Sequence, residues 1–373
     1  MGSALKDIYS LSFYNTFSDT AEKIIPSFNR KKFIKIIFNS DWENKELKER
    51  MKHTTFALHQ FMPEDFVQAA GLIEEITITL QQTKINENLF GFMFLPDYIE
   101  THGINHFEVS VKAMETVTQF ISCEYAVRPF IIKYYDRMMK QMLEWSKHKN
   151  HHVRRFASEG ARPRLPWAMA VPQLKKYPKH VLPILENLKQ DASEYVRRSV
   201  ANNLNDIAKD HPAIVIDIAN KWKGLGKETD ALIKHGCRTL LKKGNTEILK
   251  HFGLSNNAKL EVSNLKIITP KVKIGNALIF SFEAQNKSSK DEVLRLEYAI
   301  YYLLQNGQHS KKVFKISERI FQPKEKTEIT RKQSFRIITT KKFYTGQHKL
   351  SVIINGQEKL FDNFELMNEK RVK

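Results

Sequence analysis

The sequence predicts two architectures in series, an all-α solenoid of helical repeats followed by an all-β sandwich. Three observations carry that prediction. Apolar residues recur at helical spacing through positions 1–257. A Val-Arg-Arg element repeats there at an interval near 40 residues. Beyond about Asn256 the pattern becomes a two-residue alternation broken by turn signals.

In chain order, the helical pattern covers Leu47–Gln60, His106–Gln119, Tyr125–Ser146 and Val181–Lys189. Pro63, Pro129, Pro163, Pro178 and Pro212 punctuate it. Val153-Arg-Arg-Phe-Ala recurs as Val196-Arg-Arg-Ser-Val 43 residues later, and Ile233-Lys-His-Gly-Cys-Arg follows at a further 37. Between the copies, Tyr177-Pro and His211-Pro open second helices at corresponding places. Two helices per unit at this period is the signature of HEAT-like repeats, which stack with one concave face.

Residues 261–373 form the second predicted domain. Leu278, Phe280, Phe282 and Ala284 alternate, as do Leu350, Val352 and Ile354, and Phe314 with Ile316. Gly275-Asn276, Asn306-Gly307 and Asn355-Gly356 mark turns between them. Around seven short strands in this length suggest an immunoglobulin-like sandwich. With no cysteine or tryptophan in the region, strand count alone carries the reading, and a barrel stays open.

The formal charge of +19 points to a polyanionic partner, nucleic acid before membrane. Residues 261–373 hold 22 basic against 12 acidic side chains, and the rest of the chain 38 against 29. The excess therefore belongs to folded surfaces rather than to a tail. Cys123 and Cys237 form no CxxC pair, which excludes a zinc ribbon or disulfide scaffold. No apolar run reaches the length of a membrane span, so a soluble cytoplasmic protein with no membrane partner is expected.

The most informative stretch is Val153–Trp167, VRRFASEGARPRLPW. Arg155, Glu159 and Arg162 fall at i, i+4 and i+7, one face of a helix. Gly160, Pro163 and Pro166 then break that helix, leaving Glu159 near the negative end of its dipole, where a carboxylate is disfavoured. Two further acids share a spacing with arginine or asparagine. Glu124 precedes Arg128 by four, and Asp206 follows Asn202 by four and Arg198 by eight. On stacked repeats these three carboxylates can converge in a groove with a basic rim, to which the break at Gly160 also turns Arg162, Arg164 and Trp167. Rim lysines and arginines hold phosphates. Central carboxylates favour a positively charged base or sugar. One such attraction is worth about 4 kcal/mol at about 4 Å and an effective dielectric near 20.

The 15-residue element resembles the hallmark of the AlkC family, HEAT-like-repeat DNA glycosylases that excise alkylated bases. Cys123-Glu-Tyr-Ala-Val-Arg-Pro-Phe130 and Ser199-Val-Ala-Asn-Asn-Leu-Asn-Asp-Ile-Ala-Lys-Asp-His-Pro212 also resemble it. One subgroup of that family carries a C-terminal immunoglobulin-like domain. The resemblance implies a monofunctional glycosylase acting on cationic 3-methyladenine and 3-methylcytosine in double-stranded DNA, without metal or cofactor. It further implies reading of bent DNA without burying a flipped base in a deep pocket. By position it assigns Glu124, Glu159 and Asp206 as active-site acids, and Arg155, Arg162 and Trp167 as cleft residues. Arg164, Arg128, Arg198 and Asn202 complete the expected DNA- and lesion-binding set. A monomer with no obligate protein partner is expected.

Other readings compete. The carboxylates can be structural, in a non-catalytic HEAT-repeat nucleic-acid-binding or scaffold protein. Trp167 either stacks on DNA or packs locally, while Trp42, Trp145 and Trp222 read as core. His148, His151 and His152 read as a solvated helix junction rather than a metal site. His106 and Glu108 open a helix, which disfavours an iron-binding facial triad. No HExxH, GxGxxG or P-loop occurs. Lys271, Lys273, Lys311, Lys312, Lys341 and Lys342 are candidates for DNA-backbone contact from the sandwich.

Overall fold

The computed structural model describes residues 5–83, 89–254, 259–337 and 341–368. The chain divides into two compact units. The first runs to Val215 and includes Lys221–Gly236; the second comprises Ile216–Asn220 and the chain from Cys237 onward.

The first unit is helical. The three predicted repeat copies are the helices His151–Gly160, Glu194–Ile207 and Lys227–Gly236, and each packs on the next. Val153, Phe156 and Ala157 of the first and Val196, Val200 and Leu204 of the second are buried, which is the i, i+3, i+4 stripe the sequence pattern requires. Tyr135–Trp145 packs on the first copy and Leu182–Leu188 on the second, giving two helices per repeat. The first arginine of the motif has a constant structural job. Arg154 donates to the carbonyls of His148 and Lys149 and Arg197 to those of Asp191 and Ala192, so each ties down the turn entering its own helix.

The helical stretch expected over Tyr125–Ser146 is two helices, Val127–Lys133 and Tyr135–Trp145. The chain leaves helical geometry at Tyr134 (φ −123°, ψ 46°), whose hydroxyl donates to the Ile104 carbonyl at 3.0 Å. Gly160 also differs from expectation. It is the last helical residue, with Ala161 as cap, and adopts no positive φ. Its lack of a side chain serves packing, because a Cβ there would lie 2.8 Å from Val127 Cγ1 and 3.0 Å from Met142 Cε. The left-handed residue of this segment is Trp167, at φ 64°.

Among its described residues the second unit holds eight strands: β1 (Leu260–Ile267), β2 (Lys271–Lys273), β3 (Ala277–Asn286), β4 (Glu292–Leu303), β5 (His309–Phe321), β6 (Lys326–Ser334), β7 (Gly346–Ile354) and β8 (Gln357–Met367). They form a three-stranded sheet, β1-β3-β6, and a five-stranded sheet, β2-β8-β7-β4-β5. This settles the choice between sandwich and barrel. All pairings are antiparallel except β2 with β8. Leu278, Phe280, Phe282 and Ala284 of β3 meet Leu294, Leu296, Tyr298 and Ile300 of β4 in one core. Asn355 (φ 44°) and Gly356 (φ 79°) make the tight β7–β8 turn, as the Asn-Gly pair predicts. Arg295 and Glu297 lie on the other face of β4. Arg295 donates to Glu297 at 2.7 Å and to Glu318, its cross-strand partner on β5, at 2.8 Å.

Candidate active site

The sequence-predicted acids lie together on the first unit, threaded by two arginines. Glu159, the penultimate residue of the first repeat helix, is 5% exposed; Asp206, near the end of the next repeat helix, is 1% exposed. Arg162, two residues past the helix end, turns back. Its Nη1 donates to Glu159 Oε1 at 2.6 Å and its Nε to Asp206 Oδ2 at 2.8 Å. Arg155 lies one helical turn earlier, 3.6 Å from Glu159 Oε1, and also donates to Glu124 and to Ser122 Oγ. Lys209 Nζ reaches Asp206 Oδ1 at 2.9 Å. The result is an alternating chain, Glu124–Arg155–Glu159–Arg162–Asp206–Lys209.

The order of this chain differentiates the acids. Asp206 has both oxygens engaged by cations. Glu159 meets both arginines through Oε1, and among the described residues its Oε2 accepts no hydrogen bond. Glu124 accepts from Arg155 and Ser122 through Oε2 alone. Burial pushes the guanidinium pKa values of Arg155 and Arg162 down, but the adjacent carboxylates more than offset it and hold both above the usual range. Both arginines are therefore fixed cations. The carboxylate at the negative end of a helix is thus compensated on both sides.

Two cavities flank the chain. One of about 340 Å³ is lined by Glu124, Arg155, Tyr125, Tyr195, His152, Phe90 and Phe120, among others. A smaller one of about 160 Å³ is lined by Tyr125, Trp167, Met169, Lys48, Asp97 and Glu100 among others. Tyr125 belongs to both. Arg155 lies over the Tyr195 ring, 4.8 Å from its centroid. Trp167 is 63% exposed and its carbonyl accepts from Lys48. Trp42, Trp145 and Trp222 are buried, as expected.

The remaining predicted residues lie elsewhere. Arg128 is 0% exposed and, among the described residues, donates to backbone carbonyls alone, those of Gly160, Arg162 and Met169, so it presents no surface to DNA or a lesion, contrary to expectation. Its four-residue spacing from Glu124 misled because Glu124 precedes the helix that begins at Val127. Arg198 is exposed and pairs with Glu194 in its own helix, Arg164 with Asp210, and Asn202 with His235. Among the described residues, Arg198 and Arg164 make no hydrogen bond or ion pair to the acid chain.

Sequence reasoning missed Ser122, Tyr125, Tyr195 and Lys209. Tyr125 and Lys209 stand inside the quoted motifs, and Tyr195 opens the second repeat copy. Their role depends on which repeat faces which, a matter spacing does not encode. Near the histidines, His148 Nδ1 accepts from the Asn150 amide at 3.0 Å and the rings of His151 and His152 lie 4.2 Å apart. Among the described residues, no three His, Cys, Asp or Glu side chains gather to hold a metal, and no helix is long and apolar enough to cross a membrane.

Stacked two-helix repeats, a carboxylate–guanidinium chain on successive repeats and a C-terminal sandwich define the class. Family models place it further. The DNA alkylation repair enzyme model matches residues 60–238, and the model for the C-terminal Ig-like domain of the uncharacterised protein YhaZ matches residues 261–368. The uncharacterized protein YhaZ of Bacillus subtilis (strain 168) is 44% identical over 355 residues, spanning 95% of this chain and 97% of that protein. The Pseudomonas fluorescens alkylpurine DNA glycosylase AlkC, solved bound to DNA containing an abasic site analog, is 33% identical with a TM-score of 0.90, covering 98% of this chain and all of that one. The chain belongs to the DNA alkylation repair enzyme family, in the form that carries the YhaZ-type Ig-like domain.

Proposed function

We propose that this protein is a monofunctional DNA glycosylase that hydrolyses the N-glycosidic bond of cationic alkylated bases, 3-methyladenine and 3-methylcytosine, in double-stranded DNA. The observation that carries the reading is the Glu159 carboxylate, anchored by two arginines through one oxygen and uncommitted at the other. An N3-methylated base is already a cationic leaving group, so no general acid is required. Cleavage develops positive charge on the sugar, which a fixed carboxylate stabilises while it orients the attacking water. Glu159 fills that role. Glu124, with one oxygen likewise uncommitted, adds negative charge on the side of the larger cavity. Asp206 acts through Arg162, holding it so that Glu159 keeps its orientation. Trp167 offers an exposed indole for stacking on DNA. The reaction as drawn uses no metal or cofactor.

Likeness to the AlkC glycosylase over nearly the full chain supports the same reading. The test is release of 3-methylated bases from methylated duplex DNA. The wild-type protein is expected to release them, and Glu159→Gln to be slower by about 100- to 1,000-fold with binding of undamaged duplex retained. Salt-sensitive binding without any release identifies a binding protein instead. Release unchanged in Glu159→Gln removes Glu159 from its role.

A further inference from the structure

Residues Gly160 to Met169 carry Arg162, which holds Glu159, and Trp167, in left-handed backbone. Both ends of this segment are fastened by one side chain from another helix. Arg128, on Val127–Lys133, donates through Nη1 to the Gly160 carbonyl at 3.0 Å and the Arg162 carbonyl at 2.9 Å, and through Nε to the Met169 carbonyl at 2.5 Å. We infer that Arg128 is a positioning residue for base excision, clamping the 160–169 loop so that Arg162, Glu159 and Trp167 share one cleft. This rests on the functional reading above.

The chemistry of the site favours a guanidinium for this work. The Gly160 carbonyl belongs to the unpaired C-terminal turn of the helix, whose partial negative charge a cation offsets. A planar guanidinium satisfies three divergent carbonyls from one rigid fork, which an ammonium on a flexible stem cannot. The arrangement is expensive to keep. Arg128 is wholly buried, its Nη2 has no hydrogen-bond partner among the described residues, and burial with the nearby Arg162 charge pushes its pKa down to about 10. The carboxylates of Asp206, Glu124 and Glu159 act in the opposite direction. Arg128 thus belongs electrostatically to the acid chain although, among the described residues, its hydrogen bonds go to backbone carbonyls.

The loop has its own reporter, because Trp167 is exposed while the other three tryptophans are buried. Iodide quenching of tryptophan fluorescence therefore follows the loop, and single-turnover base release follows the chemistry. In Arg128→Lys the quenching of Trp167 is expected to change and release to slow by about 10- to 100-fold, with thermal melting and undamaged-duplex affinity close to wild type. In Arg128→Ala, added guanidinium at millimolar concentration is expected to restore release, and ethylammonium is not. Wild-type quenching and rate in Arg128→Lys overturn the inference, as does folded Arg128→Ala that guanidinium fails to rescue. If neither variant folds, Arg128 determines the fold and the inference fails. If the wild-type protein releases no base, the functional reading fails, and the quenching arm alone decides whether Arg128 holds the loop.

Discussion

The Arg295–Glu297–Glu318 network of the sandwich and the Glu124–Arg155–Glu159–Arg162–Asp206 chain of the helical unit use the same chemistry, buried carboxylates bound to guanidinium groups. Burial does not separate them, since Glu297 is 0% exposed and Glu159 is 5% exposed. Position does. Arg295 and Glu318 face each other as cross-strand partners, just before a register shift between Leu296 and Glu297, so the strand pairing places both. Arg162 lies beyond a helix end, and Arg155 reaches back 31 residues to Glu124. In the helical unit the charges stand where regular structure stops and cavities open. A buried ion pair is thus weak evidence of a site, whereas one assembled across a helix end beside a cavity is stronger.

The sharpest way to break this contrast is in the sandwich. Removing one partner of a buried pair strands the other charge, so Arg295→Met is expected to cost about 3–5 kcal/mol of stability. Its single-turnover base release, per folded molecule, is expected to match wild type. Denaturant titration and rate together check this, and slower release with intact stability erases the distinction.

In the helical unit the expected balance reverses. Asp206→Asn leaves one acceptor oxygen for Arg162 and Lys209 and removes the negative charge, so Arg162 is held more weakly. Base release is expected to fall about 10- to 100-fold with undamaged-duplex binding little changed. An unaffected rate ends the working part of the chain at Arg162.

The smallest expected effect concerns a third acidic locus. Burial, with help from Asp97, pushes the Glu100 carboxyl up to about 7. Its folded value lies above its unfolded one, so the native state binds the proton more tightly. Stability present at low pH is therefore lost as pH rises from about 4.5 to about 7. Glu100→Gln is expected to remove that slope and to stabilise the unit above neutrality by on the order of 1 kcal/mol, allowing for partial exposure. Urea midpoints at acid and alkaline pH measure it. Loss of base release in this variant would extend the site beyond the acid chain.

Much of this was legible in the sequence, for identifiable reasons. The repeats were readable because Val153 and Val196 occupy one packing position 43 residues apart, and stacking helices demand the same residue type there. The sandwich was readable from alternation in β3, β5 and β7. The acids were readable because Glu159 stood where a helix end disfavours it. Partners set by neighbouring repeats were not readable. Arg155 and Arg198 hold equivalent motif positions, yet one finds Glu124 in the preceding repeat and the other pairs with Glu194 in its own first turn. Arg128 shows the same limit: four residues after Glu124 implied a shared helix face, but the helix begins between them.

The central claim is that a fixed carboxylate on Glu159 selects charge. Single-turnover release of 3-methyladenine and of a neutral lesion such as hypoxanthine, from otherwise identical duplexes, tests it most directly in wild type and Glu159→Gln. The expected result is a strong wild-type preference for the cationic base that drops by about tenfold or more in the variant. Equal rates for the two lesions in wild type, or a preference unchanged in Glu159→Gln, would contradict it.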